Sequence, residues 1–179
     1  MKAKNLAIED CPESWVHLGG RGLTVRIMMD EVPATCDPLG PKNKLIFSPG
    51  LLVGHRLSSC DRISVGTKSP LTGGVKEANA GGRTGYELAR LGIKALIIED
   101  APQPEDFTIL HLSKEGALFY EAEDLKGKGV YETAEVLLKR FGSKHAISLI
   151  GPGGEMKLPA RANQRNRMFR AKTFKQDFS

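Results

Sequence analysis

Asn79 to Gly85, reading Asn-Ala-Gly-Gly-Arg-Thr-Gly, is the segment of this sequence richest in chemical possibility. Its glycines allow a backbone to approach an anion closely, and a helix beginning just after them offers unpaired N–H groups and partial positive charge. The spacing is not G-x-G-x-x-G, so on spacing alone the segment reads as an anion cradle or as a plain tight turn. Arg62 opens an alternating run, Arg62 to Thr67, that is expected to put its guanidinium beside Lys68. Two cations near a glycine loop would suit a polyanionic ligand, and a solvated strand end is the plainer alternative. Gly151 to Lys157 has the outline of a phosphate loop, but Met156 stands where glycine is required and no Ser or Thr follows Lys157. Ser58, Ser59 and Cys60 could offer a nucleophile, yet no motif places a histidine or acid to activate one. The three cysteines, Cys11, Cys36 and Cys60, are far apart and form no C-x-x-C pair, so they read as free thiols. His17, His55, His111 and His145 lack the i, i+4 pairing of a helical zinc site, and no protein-held metal is indicated.

These groups must be positioned by short elements. Val25, Met28, Met29 and Val32 recur at helical spacing, which predicts an amphipathic helix after Gly19 to Gly22, with the methionines in the core, stopping before Pro33. Strands are expected at Lys44 to Ser48 and Arg62 to Thr67, joined by a long irregular loop. A short helix near Tyr86 to Leu91 and an apolar strand at Ala95 to Ile98 follow the glycine loop. Phe107 to Leu112 and Ala117 to Tyr120 read as a hairpin about Gly116, and Val130, Ala134, Leu137, Leu138 and Phe141 mark a second amphipathic helix. Ala146 to Ile150 is read as a last strand. Interleaved strands and helices with hairpin signals predict an α+β fold with a mixed sheet.

At 179 residues the chain has room for one domain or two small ones. Its net charge of +5 is concentrated: residues 157 to 179 carry +6, and the rest sums to about −1. That segment has no hydrophobic period and is expected to be unstructured. Phe169, Phe174 and Phe178 among its basic residues are the ingredients of nucleic-acid contact, or of an unfolded end. The sequence contains no apolar run of transmembrane length and no secretion signal at its start, which places the chain in the cytoplasm as an expectation.

The succession HLGGRGL (17–23), MDEVP (29–33), DPLGPKNKLIFSPG (37–50), TKSPLTGG (67–74), EANAGGRTGYELARLGIKALIIED (77–100) and SLIGPGGE (148–155) strongly resembles the N-terminal domain of aldehyde ferredoxin oxidoreductases. The resemblance covers Val16 to Glu155. It implies mixed β-sheets with internal duplication and a few short helices, forming a base for a tungsten, or molybdenum, bis-pterin cofactor beside a [4Fe–4S] cluster. Family members oxidise aldehydes to carboxylic acids and pass electrons to ferredoxin. Carried over by motif, Arg62 would hydrogen-bond the pterin, and a cation there offsets thiolate and dithiolene charge. Asn79, Ala80, Gly81 and Gly82 would meet the pterin and its phosphate, the Asn79 backbone carbonyl also facing a bridging magnesium ion. Arg21 and Lys68 match motif positions for which structural roles are expected.

The implied domain spans residues 1–156, without the first hairpin of full-length relatives, and residues 157–179 form a basic tail. Cluster cysteines and substrate cavity belong to C-terminal domains or to a separate subunit, so this chain is expected to be inactive alone. A truncated product, a split subunit, a gene remnant and a nucleic-acid-binding protein are the readings that remain beside it, and homo-oligomerisation is left open.

Overall fold

In the computed structural model, which describes residues 5–100, 107–156, 158 and 170–175, a six-stranded sheet runs in the order β1-β8-β5-β2-β3-β4. Its strands are β1 (Asn5–Asp10), β2 (Leu45–Pro49), β3 (Ile63–Lys68), β4 (Val75–Ala80), β5 (Ile93–Glu99) and β8 (Arg170–Lys175). Neighbours are antiparallel except β1 and β8, which run parallel, so the sheet is mixed. A separate hairpin pairs β6 (Thr108–Ser113) with β7 (Gly116–Glu121). The helices are α1 (Gly20–Glu31), α2 (Arg83–Arg90), α3 (Val130–Phe141) and the single turn α4 (Pro152–Glu155). This is the α+β class expected.

Strand periodicity explains where the core lies. Successive side chains point to opposite faces, so Ile46, Ala95 and Ile97 turn to one side, where they meet Trp15 and Leu23, Ile27 and Met28 of α1. Leu45, Leu96 and Ile98 turn to the other, where Phe47, Val65 and Leu110 and Leu112 of the hairpin cover them. A strand buried on both faces reads as a continuous apolar run, which is how β2 and β5 appear in the sequence. A third cluster, of Phe107, Ala122, Leu125 and Leu137, ties the hairpin to α3. Helix α1 lies very close to β3: a Cβ placed on Gly66 would stand 2.6 Å from the Cβ of Thr24.

Four expectations are corrected. Met29 is 76% exposed, because the buried stripe of α1 is Leu23, Thr24, Ile27 and Met28, set by the seat of Thr24 on Gly66. Residues 146–150 form no strand; Ile147 packs instead against the cluster of Phe107, Ala122, Leu125 and Leu137. The polar edge strand β4 and the strand β1 were not foreseen; neither has the β-branched alternation that signals a strand. The segment expected to be an unstructured tail supplies β8, whose backbone pairs with β1 and β5 on both sides. Ladder hydrogen bonding on two edges satisfies a backbone whatever the charge of its residues, and a reading that sought an apolar period could not register it. Residues 157, 159–169 and 176–179 of that segment lie outside the described residues.

One ion cluster clamps the end of α1 to the end of β5: Lys44 Nζ, 14% exposed, donates to both Glu31 and Glu99. Burial works to lower the Lys44 pKa, but the two carboxylates outweigh it and hold the ammonium above the ordinary lysine value of 10.5. A base with a raised folded pKa stabilises fully below its ordinary value and loses that contribution as the pH climbs through the raised one. Lys44→Met is therefore expected to cost about 2 kcal/mol near neutrality, the loss of a shared partner for two half-buried carboxylates. Urea melts should show variant and parent converging as the pH is carried above 10.5; a difference that persists there would contradict the assignment.

Candidate functional site

Strand β3 presents Ser64 and Gly66 on the α1 side of the sheet, and Arg62, two residues before Ser64, falls on the same side at the strand's entry. In register across the ladder stand Asn79, opposite Ser64, and Glu77, opposite Gly66. A polar chain results. Arg21 Nε on α1 donates to Glu77 at 3.1 Å, Ser64 Oγ donates to Glu77 at 2.7 Å, Asn79 Nδ2 donates to Ser64 Oγ at 3.3 Å, and Arg62 Nε donates to Asn79 Oδ1. The bond to Asn79 holds the Arg62 guanidinium at the mouth of the glycine loop: a Cβ on Gly81 would lie 3.7 Å from Arg62 Nη1.

The main chain of Arg62 is wedged. Its carbonyl accepts from Gly50 N at 3.2 Å, and a Cβ on Gly85 of α2 would stand 3.1 Å from that carbonyl. Glycine at position 85 thus lets the first turn of α2 descend onto Arg62. Gly82 caps α2 with φ of 103°, a conformation open to glycine but strained for other residues, and no side chain caps the helix. The N–H groups of its first turn are left for water or a ligand. A cleft of about 560 Å³ opens here, lined by Ser59, Asp61, Arg62, Gly81, Gly82, Arg83 and Tyr86. Arg62 and Arg83 give it positive charge, Arg83 being also paired with Glu87 at 2.7 Å, and Asp61 is the carboxylate in the lining. Backbone N–H groups beside two guanidiniums are a donor set for a phosphorylated anion.

The structure thus gathers Arg62, Asn79, Gly81 and Gly82 at one exposed surface, with Ala80 between them on the end of β4. Lys68 is not there. It closes the far end of β3, six residues and roughly 20 Å along the strand, where its buried ammonium donates to the carbonyls of Ala34 and, at 2.8 Å, Cys36. Its role is to fasten the loop after α1. Cys60 Sγ likewise serves its own loop, donating to the carbonyls of Leu57 at 3.1 Å and Leu52 at 3.3 Å. The residues not foreseen are Glu77 and Ser64, which orient Asn79, and Arg83 and Tyr86, which line the cleft. The i, i+2 spacing of Glu77 and Asn79 was the available signal, visible only once β4 is recognised as a strand.

Three comparisons bear on this geometry. A family model described as aldehyde ferredoxin oxidoreductase, N-terminal domain, matches residues 1–171. Over 148 residues the chain is 39% identical to the tungsten-containing aldehyde ferredoxin oxidoreductase of Thermococcus kodakarensis and 38% identical to that of Pyrococcus furiosus, covering 82% of this chain in each case. The chain spans about a quarter (24%) of the length of those curated relatives. Among solved structures, a chain of the active site complex BamBC of benzoyl coenzyme A reductase, in complex with 1,5-dienoyl-CoA, superposes with a TM-score of 0.82 at 26% identity. The superposition covers 95% of this chain and 30% of that one.

Proposed function

Since the chain belongs to the aldehyde ferredoxin oxidoreductase N-terminal domain family, we propose that it is the base on which a tungsten, or molybdenum, bis-pterin cofactor rests in a larger oxidoreductase. The observation that carries this reading is the placement of the Arg62 guanidinium, held by Asn79, against Gly81 and Gly82 in the cleft at the start of α2. The residues suit the group: a phosphorylated, anionic ring system meets two guanidiniums, exposed glycine backbone and the uncapped N–H groups of a helix. When bound, such a cofactor supplies two-electron redox chemistry at its metal, converting an aldehyde to a carboxylic acid, with a [4Fe–4S] cluster and ferredoxin as onward acceptors.

This chain's own residues bind and orient. Arg62 donates hydrogen bonds from its free guanidinium edge and offsets negative charge. Asn79 fixes the guanidinium through its side chain, and its backbone carbonyl is the group we assign to a bridging magnesium ion. Ala80, Gly81 and Gly82 offer main-chain contact without side chains in the way. The polar chain from Arg21 to Arg62 couples the position of α1 to that surface.

The base domain includes the whole sheet, and so extends past residue 156 to β8. Substrate choice belongs elsewhere: the relatives are named for aldehyde oxidation and for benzoyl coenzyme A reduction, yet share this scaffold. We assign the cluster ligands and substrate cavity to C-terminal domains or a partner subunit, and place the assembly in the cytoplasm. Among the described residues no helix is long and apolar enough to cross a membrane. Co-producing the chain with the C-terminal region of a relative should give aldehyde-dependent reduction of a viologen dye. Properly folded partners that never give that activity, at any ratio, would contradict the reading.

A further inference from the structure

Away from the cleft, two histidines separated by 34 residues meet. His111 on β6 and His145, just beyond α3, bring their Nε2 atoms to 3.2 Å. Their rings are tilted by 50°, with centroids 5.2 Å apart. Rings placed end-on along the line joining the two nitrogens would hold their centroids farther apart, so the ring axes are bent away from that line.

The neighbourhood fixes both rings. Phe141 stacks on His111 at 5.2 Å and 27°, and Tyr120 meets Phe141 edge-on at 5.2 Å. His145 Nδ1–H donates to the Gly142 carbonyl at 3.1 Å, which sets its tautomer and leaves its Nε2 with a lone pair facing His111. Bonding the second ring nitrogen to a carbonyl in this way is the usual support of a metal-ligating histidine. Neither a donor nor an acceptor among the described residues reaches the buried Nδ1 of His111, so without a cation its proton sits on Nε2 and is donated to His145, and a metal that takes both Nε2 lone pairs moves that proton to Nδ1. With the proton on Nδ1, two lone pairs face each other across 3.2 Å, an arrangement that a bound cation stabilises.

We infer that His111 and His145 form a two-imidazole site for a divalent transition ion of the zinc class. At a Zn–N distance of about 2.0–2.1 Å, two nitrogens on one edge of a tetrahedron lie roughly 3.3–3.4 Å apart, so the observed spacing needs almost no adjustment. Calcium and magnesium, which take oxygen ligands, are excluded by the donor set. No group of three or more His, Cys, Asp or Glu side chains that could hold a metal occurs among the described residues, so water completes the coordination and the ion exchanges readily. Bound metal pins the hairpin to the end of α3. The inference uses neither Arg62 nor the oxidoreductase reading.

The test is zinc chloride titrated into the full chain by calorimetry, with melting followed in parallel. One zinc per chain is expected, with a raised Tm, while magnesium chloride gives neither. His145→Gln changes an exposed loop residue and should fold normally, yet bind zinc at least roughly tenfold more weakly. His111→Gln should do the same, and tetrahedral visible bands seen with cobalt(II) should vanish in both variants. Absence of zinc binding, or unchanged affinity in both variants, which would place zinc on the cysteines, overturns the proposal.

Discussion

Replacing Arg62 with alanine is expected to lower the tungsten retained by an assembled enzyme by roughly tenfold to a hundredfold, while leaving the chain's own melting almost unchanged. The magnitude follows from charge-assisted hydrogen bonds, each worth about 1.5–3 kcal/mol when a buried anion loses its donor. The small effect on folding follows from exposure: the side chain stands at the surface, and its bond within the protein is to Asn79, itself exposed. Arg62→Lys separates charge from geometry. A lysine keeps the cation but not the planar fork, and cannot repeat a bond to Asn79 while offering a second edge to the cleft, so an intermediate loss is expected. Asn79→Ala should mimic part of the effect by freeing the guanidinium. Metal-to-protein ratios after gel filtration decide the matter, and undiminished metal in Arg62→Ala would refute the assigned role.

Gly66→Ala should be the most damaging single methyl in the sheet, costing about 3 kcal/mol of stability by overpacking. The new Cβ would lie 2.6 Å from the Cβ of Thr24, a fully buried residue in the middle of α1. Neither side can yield easily. Gly66 sits in a strand paired on both edges, and Thr24 is held by its own bond to the Arg21 carbonyl at 3.0 Å. The contact is between Cβ atoms, so Thr24→Ala should not rescue the variant, whereas Thr24→Gly should recover about half the loss despite the cost of glycine in a helix. Urea unfolding of the parent, the three single variants and the two double variants measures the coupling. Because α1 carries Arg21 to Glu77, the same clash should also loosen the polar chain that orients Asn79. A loss below about 0.5 kcal/mol in Gly66→Ala would show that α1 shifts freely, contrary to the packing described.

What was legible in the sequence follows from how each signal arises. The strands β2 and β5 announce themselves as continuous apolar runs because both their faces are buried, and the hairpin β6–β7 because a glycine turn separates two runs. Helix α3 is legible as a helix, but Val130 and Leu138 of its expected apolar stripe are exposed, and the packed face is Thr133, Val136, Leu137 and Phe141. Strand β8 is held by its neighbours' backbones, and backbone pairing leaves no mark in composition, so the basic segment read as a tail. The face of α1 was misjudged at Met29 because the decisive contact is Thr24 on Gly66, a packing fact between segments 42 residues apart. At the candidate site, Arg62 and Asn79 to Gly82 are identified by resemblance to a family and not by spacing, which favours a plain tight turn. The structure supplies what spacing could not: β3 and β4 in register put Arg62 against the glycine loop, and the opposite end of β3 carries Lys68 away from it.

The central claim, that this surface holds a metal–pterin cofactor in company with further domains, is tested most directly by native mass spectrometry. The chain would be drawn anaerobically from its own cells, with tungsten and molybdenum measured in the same fractions. The account predicts one of these metals in stoichiometric amount, together with a larger companion that covers the cleft at Arg62. A lone, metal-free chain carrying neither pterin nor companion would contradict it.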